Sequence, residues 1–125
     1  FIALANKVTA KNKIPVFFIE KNNFELIEKI KNQVPTAVFP ELKSNLSCPA
    51  LVTALSSRLN MAISIDNGVM HMMSLSSTPM IVLFGPTSSK KFAPKNKYTK
   101  ILDSKKMYQT KNIDSIKVDD VFSLI

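Results

Sequence analysis

Asp66-Asn67-Gly68 is a short polar turn between an apolar run and a segment with the pattern of a helix. In an open sheet of parallel strands, ligands bind at the carboxyl ends of the strands, where loops lead into helix N-termini. A glycine at this point permits a tight turn and lets a ligand come close to free backbone N–H groups. The turn therefore suits a phosphate group. The Asp66 carboxylate is placed either to cap the helix or to accept hydrogen bonds from sugar hydroxyls.

A second loop that could contact a ligand follows the next apolar run, at Gly85-Pro86-Thr87. The glycine and the proline turn the chain abruptly away from the strand, and Thr87 presents a hydroxyl group. Each loop also has a simpler structural interpretation, because an Asp-x-Gly turn most often only starts a helix and a Gly-Pro pair most often only makes a turn. Taken separately, neither loop identifies a site.

His71 is the only histidine and stands three residues after Gly68, in the first turn of the predicted helix. A lone histidine on a helix more often packs or forms a hydrogen bond than catalyses a reaction, and the spacing offers it no Ser or Cys nucleophile. No second histidine or acidic cluster stands near it in the sequence, so no metal site is expected. Five methionines are expected to pack in the core: Met61, Met70, Met72, Met73 and Met80.

Both loops belong to a β-α-β unit, the clearest element pattern in the chain. Its strands are the apolar runs 61–65 and 79–84, and its helix covers 69–76. Strands and helices that alternate in this way favour an α/β fold, in which helices cover both faces of a parallel sheet. The other predicted elements are strands at 15–19, 36–39 and 99–103, the last at an edge, and helices at 1–8, 23–31, 49–59 and 118–125.

Further expectations concern packing. The apolar runs 15–19, 61–65 and 79–84 should lie next to one another or nearly so, because such runs are typical of strands buried on both faces of a sheet. Pro49 fits the first turn of its helix, and Ser47 is available as the N-cap. The helical side chains expected to face inward are Phe24, Ile27, Ile30, Leu51, Val52 and Leu55.

Length and composition limit what the chain can be. Its 125 residues suffice for one domain, and an apolar fraction of 46% excludes a disordered chain. The apolar runs are too short to cross a bilayer. The single cysteine, Cys48, has no partner for an internal disulfide, which favours a reducing compartment and a half-buried place in a helix. The first residues have the pattern of a helix that began before them, so we expect the chain to be part of a longer polypeptide.

The positive charge is concentrated in one segment. The net charge is +8, and residues 88–117 carry nine lysines against two aspartates. Few aromatic residues interleave these lysines and no nucleic-acid-binding motif is present, so we expect no nucleic-acid partner. An anionic membrane surface or an anionic substrate is at least as good a partner for such a segment.

The stretch from Ser64 to Pro94 resembles the signature of the heptosyltransferases, glycosyltransferase family nine. The family pattern reads Asp, Ser or Thr, Gly, two residues, His, a helix of small residues, Pro, an apolar strand and Phe-Gly-Pro-Thr. Weaker similarity at 46–59 and 116–125 extends the resemblance over almost the whole chain. The matching residues are Asp66, Gly68, His71, Pro79, Phe84, Gly85, Pro86 and Thr87.

This resemblance implies the GT-B architecture, in which two Rossmann-like domains face each other across a cleft. The chain looks like the C-terminal, donor-binding domain, without that domain's first strand and without the N-terminal acceptor domain. The implied ligands are a nucleoside diphosphate sugar such as ADP-heptose and, through the missing domain, a bacterial lipopolysaccharide core or other glycan acceptor. By similarity, the donor-binding residues are Asp66, Asn67, Gly68, Val69, Met70, His71 and Thr87, with Glu41 and Leu46 to Cys48 near the nucleoside.

Roles for these residues also follow from the resemblance. Asp66 would contact the donor sugar or the surroundings of its pyrophosphate, while the backbone of 67–70 and the His71 side chain would line the diphosphate. Asn67 stands where the family has Ser or Thr, which removes a hydroxyl but keeps a side chain that can form hydrogen bonds. The catalytic base would belong to the missing domain, so no catalytic residue is expected here and the fragment alone should be inactive.

The resemblance further implies that no cofactor or metal is required. The enzyme would work in the cytoplasm, with peripheral contact at the inner face of the inner membrane. The alternative is a non-catalytic Rossmann-like binding domain with a degenerate site.

Overall fold

Two units, residues 1–47 and 48–125, divide the chain in the computed structural model, which describes residues 1–45 and 48–125. In the first unit the helices are α1 (Ile2–Thr9), α2 (Phe24–Gln33) and α3 (Pro40–Lys43). Asn23 caps α2 by accepting a hydrogen bond from the backbone N–H of Leu26 at 3.4 Å. The predicted helices at 1–8 and 23–31 are thus confirmed to within about two residues, the usual uncertainty of helix ends.

The core of the first unit is built from one face of α1, one face of α2 and the extended segments around them, and α3 contributes no buried residue. Phe17 stacks on Phe39 with their ring centroids 5.9 Å apart. Phe24 was expected to face inward but is 70% exposed, because it occupies the first position of α2 and the buried stripe begins one turn later. The buried members of this core are Ala5, Ile27, Ile30, Val34 and Phe39.

The predicted strands at 15–19 and 36–39 are reduced to one parallel bridge, between Val16 and Val38. The N–H of Phe17 donates to the carbonyl of Val38 at 2.9 Å, and the N–H of Val38 donates to the carbonyl of Pro15, also at 2.9 Å. Prolines lack the N–H that a ladder needs, and they stand at 15, 35 and 40, around both segments. The pairing therefore stays too short to count as a strand.

The second unit holds the β-α-β pattern and the parallel sheet. Its sheet has the order β1-β2-β3, with every neighbouring pair parallel. In register, Ile65 lies beside Leu83, and Phe84 lies beside Asp103. The elements are α4 (Pro49–Ser56), β1 (Ala62–Ile65), α5 (Gly68–Ser74), β2 (Met80–Phe84), α6 (Ser89–Phe92), β3 (Thr99–Asp103), α7 (Ser104–Tyr108), a 3₁₀ turn (Ile113–Ser115) and α8 (Val118–Phe122).

The predicted neighbours β1 and β2 pair directly, whereas the third strand of this sheet is β3 and not the segment 15–19, which belongs to the first unit. β2 is central and almost continuously buried, as expected for a strand covered on both faces. β3 is an edge strand, as predicted, with Lys100 and Ile101 exposed. The Lys100 ammonium donates to the carbonyl of Leu124 at 3.3 Å. The α/β fold with a parallel sheet is confirmed.

Helix α4 packs against α5, and polar side chains join α4 to α5 and to the segment between α5 and β2. The Thr53 hydroxyl donates to the carbonyl of Met72 at 3.0 Å, and the Thr78 hydroxyl donates to the carbonyl of buried Ser56 at 2.5 Å. Of the residues expected to face inward from α4, Val52 is buried and Leu51 and Leu55 are half-buried.

The start and end of α4 differ from the sequence expectations. Pro49 occupies its first turn as predicted, but the helix ends at Ser56 rather than near residue 59. The expected cap Ser47, with Leu46, lies outside the described residues. Cys48 takes the N-cap position and is exposed, so the half-buried place expected for it was wrong. Among the described residues, no helix has the length and apolar character needed to span a membrane.

Candidate functional site

Three loops meet at one edge of the sheet in the second unit, because the three strands are parallel and end at nearly the same level. Asp66 follows β1, Gly85 follows β2 and Ser104 follows β3. The pairing of Phe84 with Asp103 places the ends of β2 and β3 side by side. The carboxyl ends of parallel strands are where open α/β sheets bind ligands. The two loops singled out from the sequence therefore belong to one edge.

The cap of α5 is Asn67, not Asp66. The Asn67 Oδ1 accepts a hydrogen bond from the backbone N–H of Met70 at 3.0 Å, and the Ser64 hydroxyl lies 3.4 Å from the same oxygen. Because α5 begins at Gly68, the residue with cap geometry is the one immediately before it, in extended backbone. The suggestion that Asp66 caps this helix was wrong by one position.

This cap determines which backbone donors remain at the start of α5. Met70 is fully buried and its N–H is held by Asn67. The first N–H groups of a helix have no partner within the helix, and among the described residues those of Asn67, Gly68 and Val69 form no hydrogen bond, so they remain for another acceptor. Gly68 is exposed and Val69 is half-buried. Of the four backbone groups expected to line a diphosphate, those of residues 67–69 are therefore left available.

Neither the Asp66 side chain nor the absence of a side chain at Gly68 is required by the contacts of the described residues. The Asp66 side chain is half-buried, and within residues 1–45 and 48–125 it has no hydrogen-bond or ion-pair partner. A Cβ added to Gly68 would meet no atom within 4 Å, and the backbone of this glycine does not have a positive φ. From the sequence, the glycine was expected to permit a tight turn, but the backbone conformation does not require a glycine here. The open space over Gly68 is compatible with close approach of a ligand.

His71 projects from α5 as an exposed residue, so it does not belong to the core. Its carbonyl accepts a hydrogen bond from the Ser74 hydroxyl at 2.7 Å. The methionines, by contrast, pack as expected: Met70, Met73 and Met80 are buried, and Met61 and Met72 are half-buried. No cluster of three or more His, Cys, Asp or Glu side chains suited to a metal ion occurs among the described residues.

The second loop, Gly85-Pro86-Thr87, does require its glycine. A Cβ at Gly85 would lie 2.7 Å from the Cβ of Ile113 and 3.0 Å from both the N of Ile113 and the carbonyl O of Lys111. Real Cβ atoms essentially never show the 2.7 Å distance, so the segment 111–113 packs directly on this backbone. Thr87 is half-buried next to this contact.

Sequence reasoning missed two residues that hold this loop, Asp103 and Lys105. The Lys105 ammonium donates to the carbonyls of Pro86 and Thr87 at 2.9 and 3.2 Å. The Asp103 carboxylate is 5% exposed and accepts hydrogen bonds from the Ser89 hydroxyl at 2.5 Å and from the N–H of Lys105 at 3.0 Å. An Asp-Ser pair ending a strand predicts a helix cap, and that signal could have pointed to Asp103.

The environment of Asp103 favours its charged form. Burial alone would raise the pKa of this carboxyl group, but the Ser89 hydroxyl and the backbone N–H groups of Lys105 and Lys106 donate to it, and the Lys106 charge attracts it. Together these interactions outweigh the burial, and the pKa of Asp103 lies below its ordinary value.

The lysine-rich segment, residues 88–117, is mostly at the surface. Eight of its nine lysines are exposed and Lys105 is half-buried. The Lys91 ammonium lies 5.1 Å from the ring centroid of Phe92, and the Lys97 ammonium lies 4.9 Å from that of Tyr98. Both rings are themselves exposed, so this surface combines positive charge with aromatic groups.

Comparison with known proteins identifies a matching family and a similar solved structure. Residues 1–119 match the profile of glycosyltransferase family 9, described as heptosyltransferase. The fold resembles the crystal structure of a glycosyl transferase family 9 protein from Veillonella parvula, with a TM-score of 0.79 and 20% sequence identity. The similarity covers 98% of this chain and 38% of that one, so the chain spans well under half the length of its structural relative. No curated protein sequence matches the chain.

Proposed function

Because this chain belongs to glycosyltransferase family 9, we propose that it is the donor-binding domain of an enzyme that transfers a sugar from a nucleoside diphosphate to a hydroxyl group of a glycan acceptor. The observation that carries the proposal is the family match over residues 1–119, which contains all seven candidate donor-binding residues. Asp66, Asn67, Gly68, Val69, Met70 and His71 lie in the turn and helix after β1, and Thr87 lies in the loop after β2.

The geometry of the first turn supports a role in holding the diphosphate. The N–H groups of Gly68 and Val69 remain available once Asn67 has capped Met70, and the space over Gly68 is open. When the sugar departs, negative charge grows on the diphosphate, and fixed N–H donors stabilise that charge more than the ground state. The exposed His71 side chain, two residues further along α5, would line the same group.

Asp66 would bind the sugar itself. A half-buried carboxylate without a partner among the described residues can accept hydrogen bonds from sugar hydroxyls without first losing an internal contact. Thr87 would border the bound donor from the neighbouring loop. In this assignment Asn67 acts through the cap it makes, which accounts for an amide at a position where the heptosyltransferase pattern has Ser or Thr.

For the finer identity of the substrates, the proposal draws on the family's description as heptosyltransferase. A heptosyltransferase family suggests ADP-heptose as the donor and a lipopolysaccharide core as the acceptor, in a bacterium. The chain would be the C-terminal domain of its enzyme, with the domain's first strand, the acceptor domain and the catalytic base outside these 125 residues, so that this fragment alone would be inactive. The match over 38% of the Veillonella protein is compatible with such a division.

A peripheral contact with the cytoplasmic face of the inner membrane would bring the enzyme to a lipid-linked acceptor. The lysine-rich segment supports this contact, because its exposed lysines carry positive charge and Phe92 and Tyr98 add aromatic groups of the kind found at membrane interfaces.

Donor binding by the full-length protein tests the proposal against its alternative, a Rossmann-like domain with a degenerate site. Isothermal titration with ADP, ADP-heptose and a UDP-sugar would measure both affinity and choice of base. We expect binding of ADP and ADP-heptose, weakened in the Asp66→Asn variant for the sugar nucleotide but not for ADP. Absence of binding to all three nucleotides would support the alternative.

A further inference from the structure

The backbone of the loop after β2 is hydrogen-bonded by a lysine that has no role in the proposed donor site. Lys105, in α7, donates from its ammonium to the carbonyls of Pro86 and Thr87. An exposed lysine keeps most of its rotamer freedom, so holding one in a single geometry costs conformational entropy. Here that cost is met by two charge-assisted hydrogen bonds to consecutive carbonyls, which fix the direction of the backbone at Thr87.

The end of the same loop is held from the same corner of the fold. The Asp103 carboxylate uses Oδ2 to accept the hydrogen bond from Ser89, the first residue of α6, and Oδ1 to accept that from the N–H of Lys105. One buried carboxylate thereby ties the start of α6 to the start of α7, the helix that carries the lysine. Asp103 and Lys105 act together as a clamp on residues 85–89.

The start of the loop is fixed as well, by the contact of Gly85 with the segment 111–113. All these contacts use backbone groups of the loop or the Ser89 side chain. None involves the Thr87 hydroxyl. The loop backbone is therefore held at several points, while the Thr87 hydroxyl has no hydrogen-bond partner among the described residues.

We propose that Lys105 and Asp103 are positioning residues for the donor site: they hold the loop 85–89 so that the Thr87 hydroxyl meets the bound nucleoside diphosphate sugar. This inference rests on the proposed donor-binding function. The clamp touches no substrate, and its effect on the donor passes through Thr87. Preorganisation of this kind raises affinity because the loop does not have to be ordered when the ligand binds.

The test is a double-mutant cycle on the full-length protein, with ADP-sugar binding measured by calorimetry and donor KM by kinetics. Lys105→Met should weaken donor binding by about tenfold, and Thr87→Val should have a similar effect by removing the hydroxyl. If the lysine acts through Thr87, adding Lys105→Met to Thr87→Val should cause little further loss. The KM for the acceptor should not change in any of these variants.

Lys95→Met is the matched control, because it removes an exposed lysine from the same lysine-rich segment and should leave donor binding unchanged. Lys105→Arg, which keeps a charged donor able to reach a carbonyl, should recover most of the affinity and serves if the methionine variant does not fold. Fully additive losses in the cycle, or wild-type affinity in Lys105→Met, would overturn the clamp while leaving donor binding intact. A wild-type protein that binds no nucleotide would remove the proposed function and this inference with it.

Discussion

The side-chain oxygen of Asn67 accepts a hydrogen bond from the N–H of Met70 at 3.0 Å. Helix capping, which the sequence had suggested for Asp66 together with sugar binding, therefore belongs to Asn67. Asn67 starts α5, and the adjacent Asp66 carboxylate is left without a partner among the described residues. Stability and ligand recognition should therefore respond to different residues in the same turn.

Asp66→Asn in the full-length enzyme should lower kcat/KM for the sugar donor by about tenfold or more, because an NH₂ group would replace an oxygen that accepts hydroxyl hydrogen bonds. The melting temperature should not change, since Asp66 is not the cap. Asn67→Ala is the matched variant and should cost about 1 kcal/mol of stability through loss of the cap. Wild-type activity in Asp66→Asn would show that the carboxylate does not bind the donor.

The two glycines of the chain should respond to alanine in opposite ways. Gly68→Ala should keep or raise the free energy of unfolding, by up to about 1 kcal/mol, because its backbone suits alanine and the space is open. Gly85→Ala should lower it by about 1 to 3 kcal/mol, because the new methyl group would overlap Ile113. Urea unfolding of both variants measures these changes.

The Gly68→Ala variant also tests where the donor binds. A methyl group on Gly68 would occupy the space proposed for the diphosphate, so donor affinity should fall although the protein is no less stable. Unchanged affinity for ADP in a stable Gly68→Ala variant would argue against a diphosphate over this turn.

Acid should remove stability that the ionised Asp103 supplies. The pKa of this carboxyl group is lower in the folded protein than its ordinary value, so the folded state favours the charged form. The resulting stabilisation is complete above the unfolded-state pKa of about 4 and is lost as the pH falls through the lower, folded-state value. Urea unfolding of wild type and Asp103→Asn, compared from about pH 6 to about pH 3, should show a stability difference that shrinks toward acid. A difference that does not vary with pH would contradict the charged-state interpretation.

Binding to vesicles that contain anionic lipids should depend on the lysine-rich segment and weaken steeply with salt, because surface charges are screened over about 10 Å at 0.1 M salt. Replacing four of its exposed lysines by glutamine should reduce binding by about tenfold or more. The control removes the same number of exposed lysines elsewhere. The four target lysines are Lys90, Lys91, Lys95 and Lys97, and the control lysines are Lys11, Lys13, Lys29 and Lys43. Equal losses in both variants would indicate a general charge effect.

The β-α-β unit could be predicted from the sequence to within about two residues, because its two strands are largely apolar and a polar turn separates the first strand from its helix. The cap was misassigned by one position, since Asp66 and Asn67 are both good cap residues and only the start of α5 at Gly68 decides between them. The segment 15–19 is just as apolar, but the prolines around it and its partner limit their pairing to one bridge.

The clamp on residues 85–89 could not be predicted in this way. Lys105 contacts Pro86 and Thr87 across 19 and 18 residues of sequence, and no sequence pattern distinguishes this lysine from the other eight in the lysine-rich segment. Its role depends on the register of β3 against β2, which the tertiary fold determines. Local periodicity predicts which segments become strands, but not which side chains meet at their ends.

The exposed lysine in β3 bears on how the protein avoids self-association. An edge strand presents backbone N–H and C=O groups to which a strand of another molecule could add. Lys100 stands in this strand beside the exposed Ile101, and its ammonium is hydrogen-bonded to the carbonyl of Leu124. A second molecule that docked on this edge would have to desolvate that charge and displace the contact with the end of the chain. Lys100 therefore disfavours pairing of another molecule with β3, which the exposed apolar side chain of Ile101 would otherwise favour.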